Sequence, residues 1–345
     1  MRAQLPREGL LRVLGLALAP LALLAFEGVA RLLPQPPGSD LARLHRYSEV
    51  YGWEPRPGAQ LRSAGESVSI NRAGYRGREV AATPPAGTTR VALLGDSIAF
   101  GIGVSDRETF ASLLDAEPGL EVVNLAVEGY GPGQSLLRLE HRGLALRPDQ
   151  VLMNLCLDND FADAALPRFL YDGVHPKPYF RLEAGRLVLQ DAQLRLGYRG
   201  RLGLALRERS RLVELLGRLL AGEAASAEEH WLDRKERVLV DRDAAVELVT
   251  AILVRMRDES QAAGAGFLVA VHPDELGYRR HSPWRNALKR AALAAGLDLV
   301  DMRDAYRARG LRFSDVALDA VGHLSPRGHR EAAAILREEL RARAR

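Results

Sequence analysis

The chain has 345 residues, of which 47% are hydrophobic and 27% charged, and this ordinary composition excludes wholesale disorder. The formal net charge is +4, from 48 basic and 44 acidic residues. Because these charges are interspersed along the sequence, we expect no nucleic-acid-binding surface. Cys156 is the only cysteine, which excludes an intrachain disulfide and a thiolate metal cluster.

The N-terminal segment, residues 1–33, combines a basic start with an apolar run. Arg2, Arg7 and Arg12 flank or enter the apolar stretch Gly9–Phe26, a pattern typical of a signal peptide or an uncleaved signal anchor. No clear cleavage site follows, so we predict an uncleaved, single-pass transmembrane helix in a bacterial inner membrane. The arginines on its N-terminal side place the rest of the chain in the periplasm. A buried amphipathic helix is the alternative, but the stretch lacks a polar face.

Residues 34–88 are predicted to be a linker and a lead-in segment that packs on the main domain. The linker is the proline-rich break Pro34–Ser39, and turn-forming residues recur at Trp53–Gly58 and Asn71–Tyr75.

From residue 89 to residue 345 the sequence alternates short apolar runs with helical patterns. Five runs are apolar on both faces and indicate buried strands: Val91–Leu94, Val122–Leu125, Val151–Leu157, Phe267–Val271 and Leu297–Val300. Helical patterns lie near 107–116, 133–146, 242–263, 283–295 and 326–343. The alternation predicts a three-layer α/β/α, flavodoxin-like fold with a parallel five-stranded sheet in the order 2-1-3-4-5.

An insertion at about 163–240 interrupts this alternation between the third and fourth strands. It contains a hairpin-like stretch at 179–189 and a basic amphipathic helix around 205–221. A cap over the functional site and a peripheral packing element are both compatible with this sequence.

Ser97 lies just past the first strand, in Gly95-Asp96-Ser97. This place exposes a serine Oγ at the carboxyl edge of a sheet, beside the backbone N–H groups of the following turn, as a nucleophile requires. A helix N-cap is the alternative, since aspartate and serine are both common there.

Three more stretches contain candidate site residues, and each follows a later predicted element along the chain. Gly129 comes after the second strand and Asn159 after the third, so both can donate hydrogen bonds to an oxyanion. His323 lies in a loop before the last helix, free to reach Ser97. His272 follows the fourth strand and is either a substrate contact or an ordinary loop histidine.

Together these stretches resemble the SGNH/GDSL hydrolase family, from about Arg90 to the C-terminus. The resemblance implies that Ser97 is the nucleophile and His323 the general base, and that Ser97, Gly129 and Asn159 form the oxyanion hole. The lead-in sequence from Asn71 onward is similar to that of members that carry an N-terminal anchor and face the periplasm.

The sequence departs from the family at the acidic residue. That residue usually lies three positions before the histidine, where this chain has Ala320, whereas Asp319 lies four positions before His323. Gly322 can absorb the extra residue, so we expect Asp319 to orient the imidazole and regard Asp315 as a weaker candidate. A Ser–His dyad is the alternative.

The sequence therefore predicts a serine esterase that needs no metal or organic cofactor and acts on a small acyl ester, such as acetyl, of an envelope glycan or lipid. Two alternatives use the same residues differently. One is an O-acyltransferase that modifies an exported polysaccharide, and the other is a catalytically silent envelope binding module.

Overall fold

The computed structural model describes residues 7–33, 43–63, 66–157, 159–170, 175–195, 241–279 and 282–343, with scattered positions between 200 and 216. By contacts within the chain it divides into two compact units. The smaller unit draws on Met1–Arg43 and Leu196–Ala227, and the larger on Leu44–Arg195 and Glu228–Arg345.

The smaller unit contains helix α1, Arg7–Leu32, which is rich in the strong helix formers leucine and alanine. Leu24 and Phe26 on this helix are mostly exposed, while Glu27 accepts a hydrogen bond from the N–H of Leu212 at 3.0 Å. Within the part of the chain that the structure describes, no helix combines the length and apolar character that a membrane crossing requires. The predicted transmembrane helix stays a prediction.

The lead-in segment forms two antiparallel hairpins. They are made by strands β1 (His45–Ser48) with β2 (Gly52–Pro55), and β3 (Gln60–Ser63) with β4 (Glu66–Ser69). The predicted turn after them is closed by the Asn71 side chain, which accepts hydrogen bonds from the N–H groups of Ala73 at 3.0 Å and Tyr75 at 2.9 Å.

The rest of the larger unit alternates strands and helices as predicted. In chain order the elements are β5 (Thr89–Leu94), α2 (Ser97–Phe100), α3 (Phe110–Asp115), β6 (Leu120–Asn124), α4 (Pro132–Arg138), β7 (Gln150–Cys156), α5 (Asp160–Ala165), β8 (Tyr179–Glu183), β9 (Arg186–Gln190), α6 (Arg242–Ala262), β10 (Gly266–His272), α7 (Glu275–Arg279), α8 (Pro283–Ala294), β11 (Leu299–Asp301), α9 (Met302–Ala308), α10 (Phe313–Val316) and α11 (Pro326–Arg343).

The core is a parallel sheet of five strands in the order β11-β10-β7-β5-β6. This confirms the predicted parallel sheet and its 2-1-3-4-5 order. Strand β7 lies in the middle and is buried along nearly its whole length, which explains why its sequence is continuously apolar rather than alternating. Helices α4, α6 and α8 pack together on one side, and helices α3, α9 and α11 pack on the other.

The predicted helix at 133–146 is shorter than expected. Helix α4 ends at Arg138 and continues as a π-helical turn, Leu139–Gly143, and a 3₁₀ turn, Leu144–Leu146. The Arg138 guanidinium donates a 2.7 Å hydrogen bond to the carbonyl of Leu125, so a tertiary contact lies where the helical pattern changes.

The structure describes residues 163–170 and 175–195 of the predicted insertion. Its hairpin is present as the antiparallel pair β8 and β9. The amphipathic helix predicted around 205–221 lies mostly outside the described residues.

Candidate active site

Strand β5 delivers Ser97 to the carboxyl edge of the sheet through a tight strand-to-helix turn. Gly95 has a φ of +146°, and a Cβ there would lie 2.8 Å from the carbonyl oxygen of Asn154 on β7, so only glycine fits this close approach. The Asp96 side chain then caps helix α2. Ser97 is the first residue of that helix, where backbone N–H groups have no acceptor within the helix and can bind an oxyanion.

Ser97, His323 and Asp319 form a hydrogen-bonded chain. The Ser97 Oγ lies 2.9 Å from His323 Nε2, and His323 Nδ1 lies 2.5 Å from Asp319 Oδ2. Because a carboxylate only accepts hydrogen bonds, Asp319 fixes the tautomer with the proton on Nδ1. His323 Nε2 is then left as the acceptor for the Ser97 hydroxyl, which is the arrangement of a general base and its nucleophile.

The turn before His323 accommodates the four-residue spacing. Asp319 Oδ1 accepts hydrogen bonds from the backbone N–H groups of Gly322 at 3.0 Å and His323 at 3.1 Å, and Gly322 has a φ of +104°. A Cβ at Gly322 would lie 2.8 Å from the carbonyl oxygen of Pro273. Asp315 instead accepts a hydrogen bond at the start of helix α10, so the structure brings Asp319, not Asp315, to the histidine.

The electrostatic environment favours the protonated form of His323. Burial by itself lowers the pKa of this imidazole, but the hydrogen bond and charge of Asp319, with the charges of Asp96 and Glu128, outweigh it. The pKa of His323 is therefore raised above the ordinary value of 6.5. Burial raises the pKa of Asp319, but the hydrogen bond and charge of His323 leave it below its usual value.

The direction of this shift predicts the acidic limb of the pH–rate profile. A general base works only when neutral, so a raised His323 pKa moves the loss of activity to a higher pH than an ordinary histidine would give. We expect kcat/KM for a neutral ester to fall about tenfold per pH unit below a midpoint above 6.5. Steady-state rates from pH 5 to 9 test this, and a midpoint below 6.5 would contradict it.

The loop after β6 holds the second predicted oxyanion donor. Gly129 adopts a φ of +73°, and a Cβ there would lie 2.5 Å from Cε2 of Phe169. The Trp53 indole fixes this loop from the lead-in hairpin by donating a 2.9 Å hydrogen bond to the carbonyl of Glu128. Phe169, from the start of the insertion, thus lies directly against Gly129.

Asn159, the third predicted donor, lies immediately before helix α5 and is buried. Its Nδ2 donates a 3.0 Å hydrogen bond to Asp163 Oδ2. An amide nitrogen carries two N–H groups, so this bond leaves a second N–H for a substrate oxygen.

Sequence reasoning missed three carboxyl groups around this site. Burial raises the pKa of Asp96 to about 6 and that of Glu128 to about 7. Asp160 accepts a 2.7 Å hydrogen bond from the N–H of Cys156, and burial together with the charge of Asp96 raises its pKa. Asp96 is adjacent to Ser97 in the sequence, and Asp160 is adjacent to Asn159. Nothing in the sequence indicated that these two carboxyl groups are buried.

Arg76 is another residue that sequence reasoning missed. Its buried guanidinium donates hydrogen bonds to the carbonyls of Phe100 at 2.8 Å, Gly101 at 2.5 Å and Val104 at 2.7 Å, and pairs with Asp106 at 2.9 Å. These acceptors belong to the segment that follows Ser97. Arg76 therefore connects the lead-in segment to the end of helix α2. The only indication of this role in the sequence was its position in the lead-in sequence that begins at Asn71, before β5.

Two other residues considered from the sequence are fully buried. Cys156 ends β7 and is buried. His272 ends β10, stacks on Phe110 with ring centroids 6.3 Å apart, and is so buried that its pKa is lowered to about 3. Among the described residues, no group of three or more histidine, cysteine or acidic side chains is placed to hold a metal ion.

Comparison with known proteins identifies the family. No curated protein matches the chain. Similar solved structures include an α/β hydrolase from the metagenome of Lake Arreo, Spain (15% identity, covering 72% of this chain and 93% of that chain, TM-score 0.39), and a catalytic mutant of an acetylxylan esterase from Geobacillus stearothermophilus (15%, 72% and 93%, 0.40). A lipase/acylhydrolase from Enterococcus faecalis is similar at 16% identity (74% and 97%, 0.40).

The family model of the GDSL-like lipase/acylhydrolases matches residues 93–331, well over half of the chain. The matched segment contains Ser97, Gly129, Asn159, Asp319 and His323. The chain belongs to the GDSL-like lipase/acylhydrolase family and is a serine hydrolase that acts on ester bonds.

Proposed function

We propose that this enzyme removes a small acyl group, such as acetyl, from a glycan or lipid of the cell envelope. Ser97 is the nucleophile, His323 the general base, and Asp319 the residue that orients the imidazole. The observation that carries the proposal is the continuous chain from Ser97 Oγ through His323 to Asp319, with distances of 2.9 Å and 2.5 Å.

Acylation begins when Ser97 Oγ attacks the ester carbonyl carbon while His323 Nε2 takes its proton. The N–H groups of Ser97, Gly129 and Asn159 bind the oxyanion of the tetrahedral intermediate, where one such donor typically contributes about 10²–10³ in rate. When the ester C–O bond breaks, His323 returns the proton to the leaving alcohol oxygen. The acyl group then remains on Ser97.

Deacylation repeats these steps with water as the attacking group. His323 takes one proton from the water, the oxyanion forms again at the same three donors, and Ser97 Oγ leaves with the proton from His323. The products are a free carboxylic acid and the regenerated enzyme. A glycan hydroxyl in place of water would give acyl transfer by the same steps.

The contacts of two apolar side chains, Phe169 from the insertion and Leu318 from the loop before His323, support a short acyl group. Phe169 lies against Gly129, where a Cβ would be only 2.5 Å from the ring, so an aromatic wall stands next to one oxyanion donor. Leu318, whose Cδ1 would lie 2.5 Å from a Cβ at Gly103, packs against the loop that follows the nucleophile. A long acyl chain has to displace such apolar side chains, whereas acetyl does not.

A chain-length series tests this proposal. Initial rates are measured with p-nitrophenyl acetate, butyrate and octanoate, together with acetate release from an acetylated oligosaccharide. We expect the acetate ester to be the best substrate and octanoate the poorest, with free acetate released from the oligosaccharide. Acetyl appearing on an added glycan instead of in solution would identify a transferase, and preference for octanoate would overturn the proposed acyl size.

We also propose that the N-terminal segment attaches the enzyme to the outer face of a bacterial inner membrane. The basic start before the apolar stretch Gly9–Phe26 and the exposed apolar side chains of Leu21, Leu24 and Phe26 support this. We expect the full chain in the membrane fraction after an alkaline wash and accessible to protease in spheroplasts. A variant without residues 1–33 should be soluble; a full chain recovered in the soluble fraction would contradict the proposal.

A further inference from the structure

A buried chain of polar contacts joins Lys177 to Asn159 through Asp163. Lys177 Nζ donates a 3.0 Å hydrogen bond to Asp163 Oδ1 and another to the Asp163 backbone carbonyl. Asp163 Oδ2 accepts the 3.0 Å bond from Asn159 Nδ2. The side chains of Lys177 and Asp163 are 1% and 0% exposed. Each oxygen of this fully buried carboxylate therefore accepts a hydrogen bond, Oδ1 from Lys177 and Oδ2 from Asn159.

This contact fixes the orientation of the Asn159 amide. A carboxylate accepts hydrogen bonds but cannot donate them, so Asp163 binds the nitrogen end of the amide. In the described part of the chain, Asn159 Oδ1 is buried without a partner. If the amide turned over, this oxygen would face the negative charge of the tetrahedral intermediate and repel it.

Lys177 comes from the insertion rather than from the core sheet. Its backbone N–H donates to the carbonyl of Pro167 at 3.0 Å, and the N–H of Phe169 donates to the carbonyl of His175 at 2.8 Å. The same short segment therefore places Phe169 against Gly129 and the Lys177 ammonium against Asp163. Two of the three oxyanion donors are held by residues of the insertion.

We propose that Lys177 is a positioning residue that holds the Asn159 amide, through Asp163, with one N–H aimed at the oxyanion. The inference rests on the proposed function and assigns the start of the insertion a part in it. The Lys177 charge neutralises the buried Asp163 carboxylate, which would otherwise be an unpaired buried charge. Lys177 does not touch the substrate in this scheme, and its whole effect passes through Asn159.

A double-mutant cycle tests this coupling. Lys177→Met, Asn159→Ala and the double variant are assayed with p-nitrophenyl acetate, and kcat is counted per active site by fluorophosphonate titration so that unfolded molecules do not contribute. We expect Asn159→Ala to lower kcat about 10²–10³-fold and Lys177→Met about 10–10²-fold, with KM within about twofold. The double variant should be no slower than Asn159→Ala, and Lys177→Arg should recover most of the rate.

The matched control is Arg90→Met. This variant removes another buried ion pair, Arg90 Nε to Glu121 at 2.6 Å. Arg90 lies at the start of strand β5, the end away from Ser97, so we expect kcat per active site to stay within about twofold of the native value. If Lys177→Met costs the same in the Asn159→Ala background as alone, or if Arg90→Met costs as much, Lys177 has only a structural role.

A measurement that needs no ester separates this inference from the proposed function. The side-chain amide signal of Asn159, assigned by its loss in Asn159→Ala, should be protected from hydrogen exchange in the native enzyme. In Lys177→Met it should exchange at least about tenfold faster. Unchanged protection would overturn the positioning role even if the enzyme is active, while a native enzyme without esterase activity but with Lys177-dependent protection would refute only the proposed function.

Discussion

Replacing Ser97 by alanine is expected to lower kcat for p-nitrophenyl acetate by about 10⁴-fold or more. The loss is large because alanine has no oxygen to form the acyl-enzyme, and removal of one member of such a unit disables the whole unit. The change deletes one hydrogen bond, from Ser97 Oγ to His323, so the free energy of unfolding should change by only about 1 kcal/mol. Steady-state kinetics and a thermal melt of both proteins check these two expectations.

Ser112→Ala is the matched control for that experiment. Ser112 lies on helix α3, where its Oγ accepts a 3.0 Å hydrogen bond from Thr109, and its loss should leave kcat within about twofold. Fluorophosphonate should label the native enzyme and Ser112→Ala but not Ser97→Ala. Undiminished turnover or labelling in Ser97→Ala would show that a different group is the nucleophile.

Four strands of the sheet could be predicted to within a few residues because they are buried on both faces, so that a continuous apolar run marks each of them. Their ends could not be fixed to the residue. The fifth strand was expected at Leu297–Val300 but runs from Leu299 to Asp301, where the Asp301 side chain also caps helix α9. A polar residue with a double role at a strand end is invisible to a hydrophobicity pattern.

The lead-in hairpins were not predicted because their strands are only four residues long and partly polar. The conformation of the lead-in segment depends on contacts with residues far along the chain rather than on its own sequence. The Trp53 indole reaches the carbonyl of Glu128, and the Arg76 guanidinium reaches three carbonyls after Ser97. Contacts between residues this far apart in sequence leave no local signal.

The candidate site divides in the same way. Ser97, Gly129 and Asn159 were identifiable because each follows a strand whose carboxyl end lies at one edge of the sheet. Lys177 and its partner Asp163 could not be identified. A single lysine in an irregular segment normally lies on a solvated surface, and nothing in the sequence connects it to Asp163. Its burial depends on a turn of the insertion that the sequence does not define.

Asp319→Asn is expected to lower kcat about 10²-fold and to move the acidic limb of the pH–rate profile to lower pH. Loss of an orienting carboxylate can cost up to about 10⁴ when the group is buried. Here the Asp319 side chain is 43% exposed, so water can partly replace it, and the smaller effect follows. The limb moves down because Asp319 is the principal group that raises the pKa of His323, and an imidazole without it stays neutral to lower pH.

These two effects together distinguish a triad from a dyad. Asp315→Asn is the matched control, because Asp315 caps helix α10 and pairs with Arg327 at 3.3 Å without contacting the histidine, so its loss should leave both rate and midpoint unchanged. If Asp319→Asn lowered kcat but left the midpoint in place, the carboxylate would matter for the turn that bonds the N–H groups of Gly322 and His323, and not for the charge of the imidazole. If neither changed, the enzyme would work as a Ser97–His323 dyad, and the 2.5 Å contact between His323 and Asp319 would have no part in catalysis.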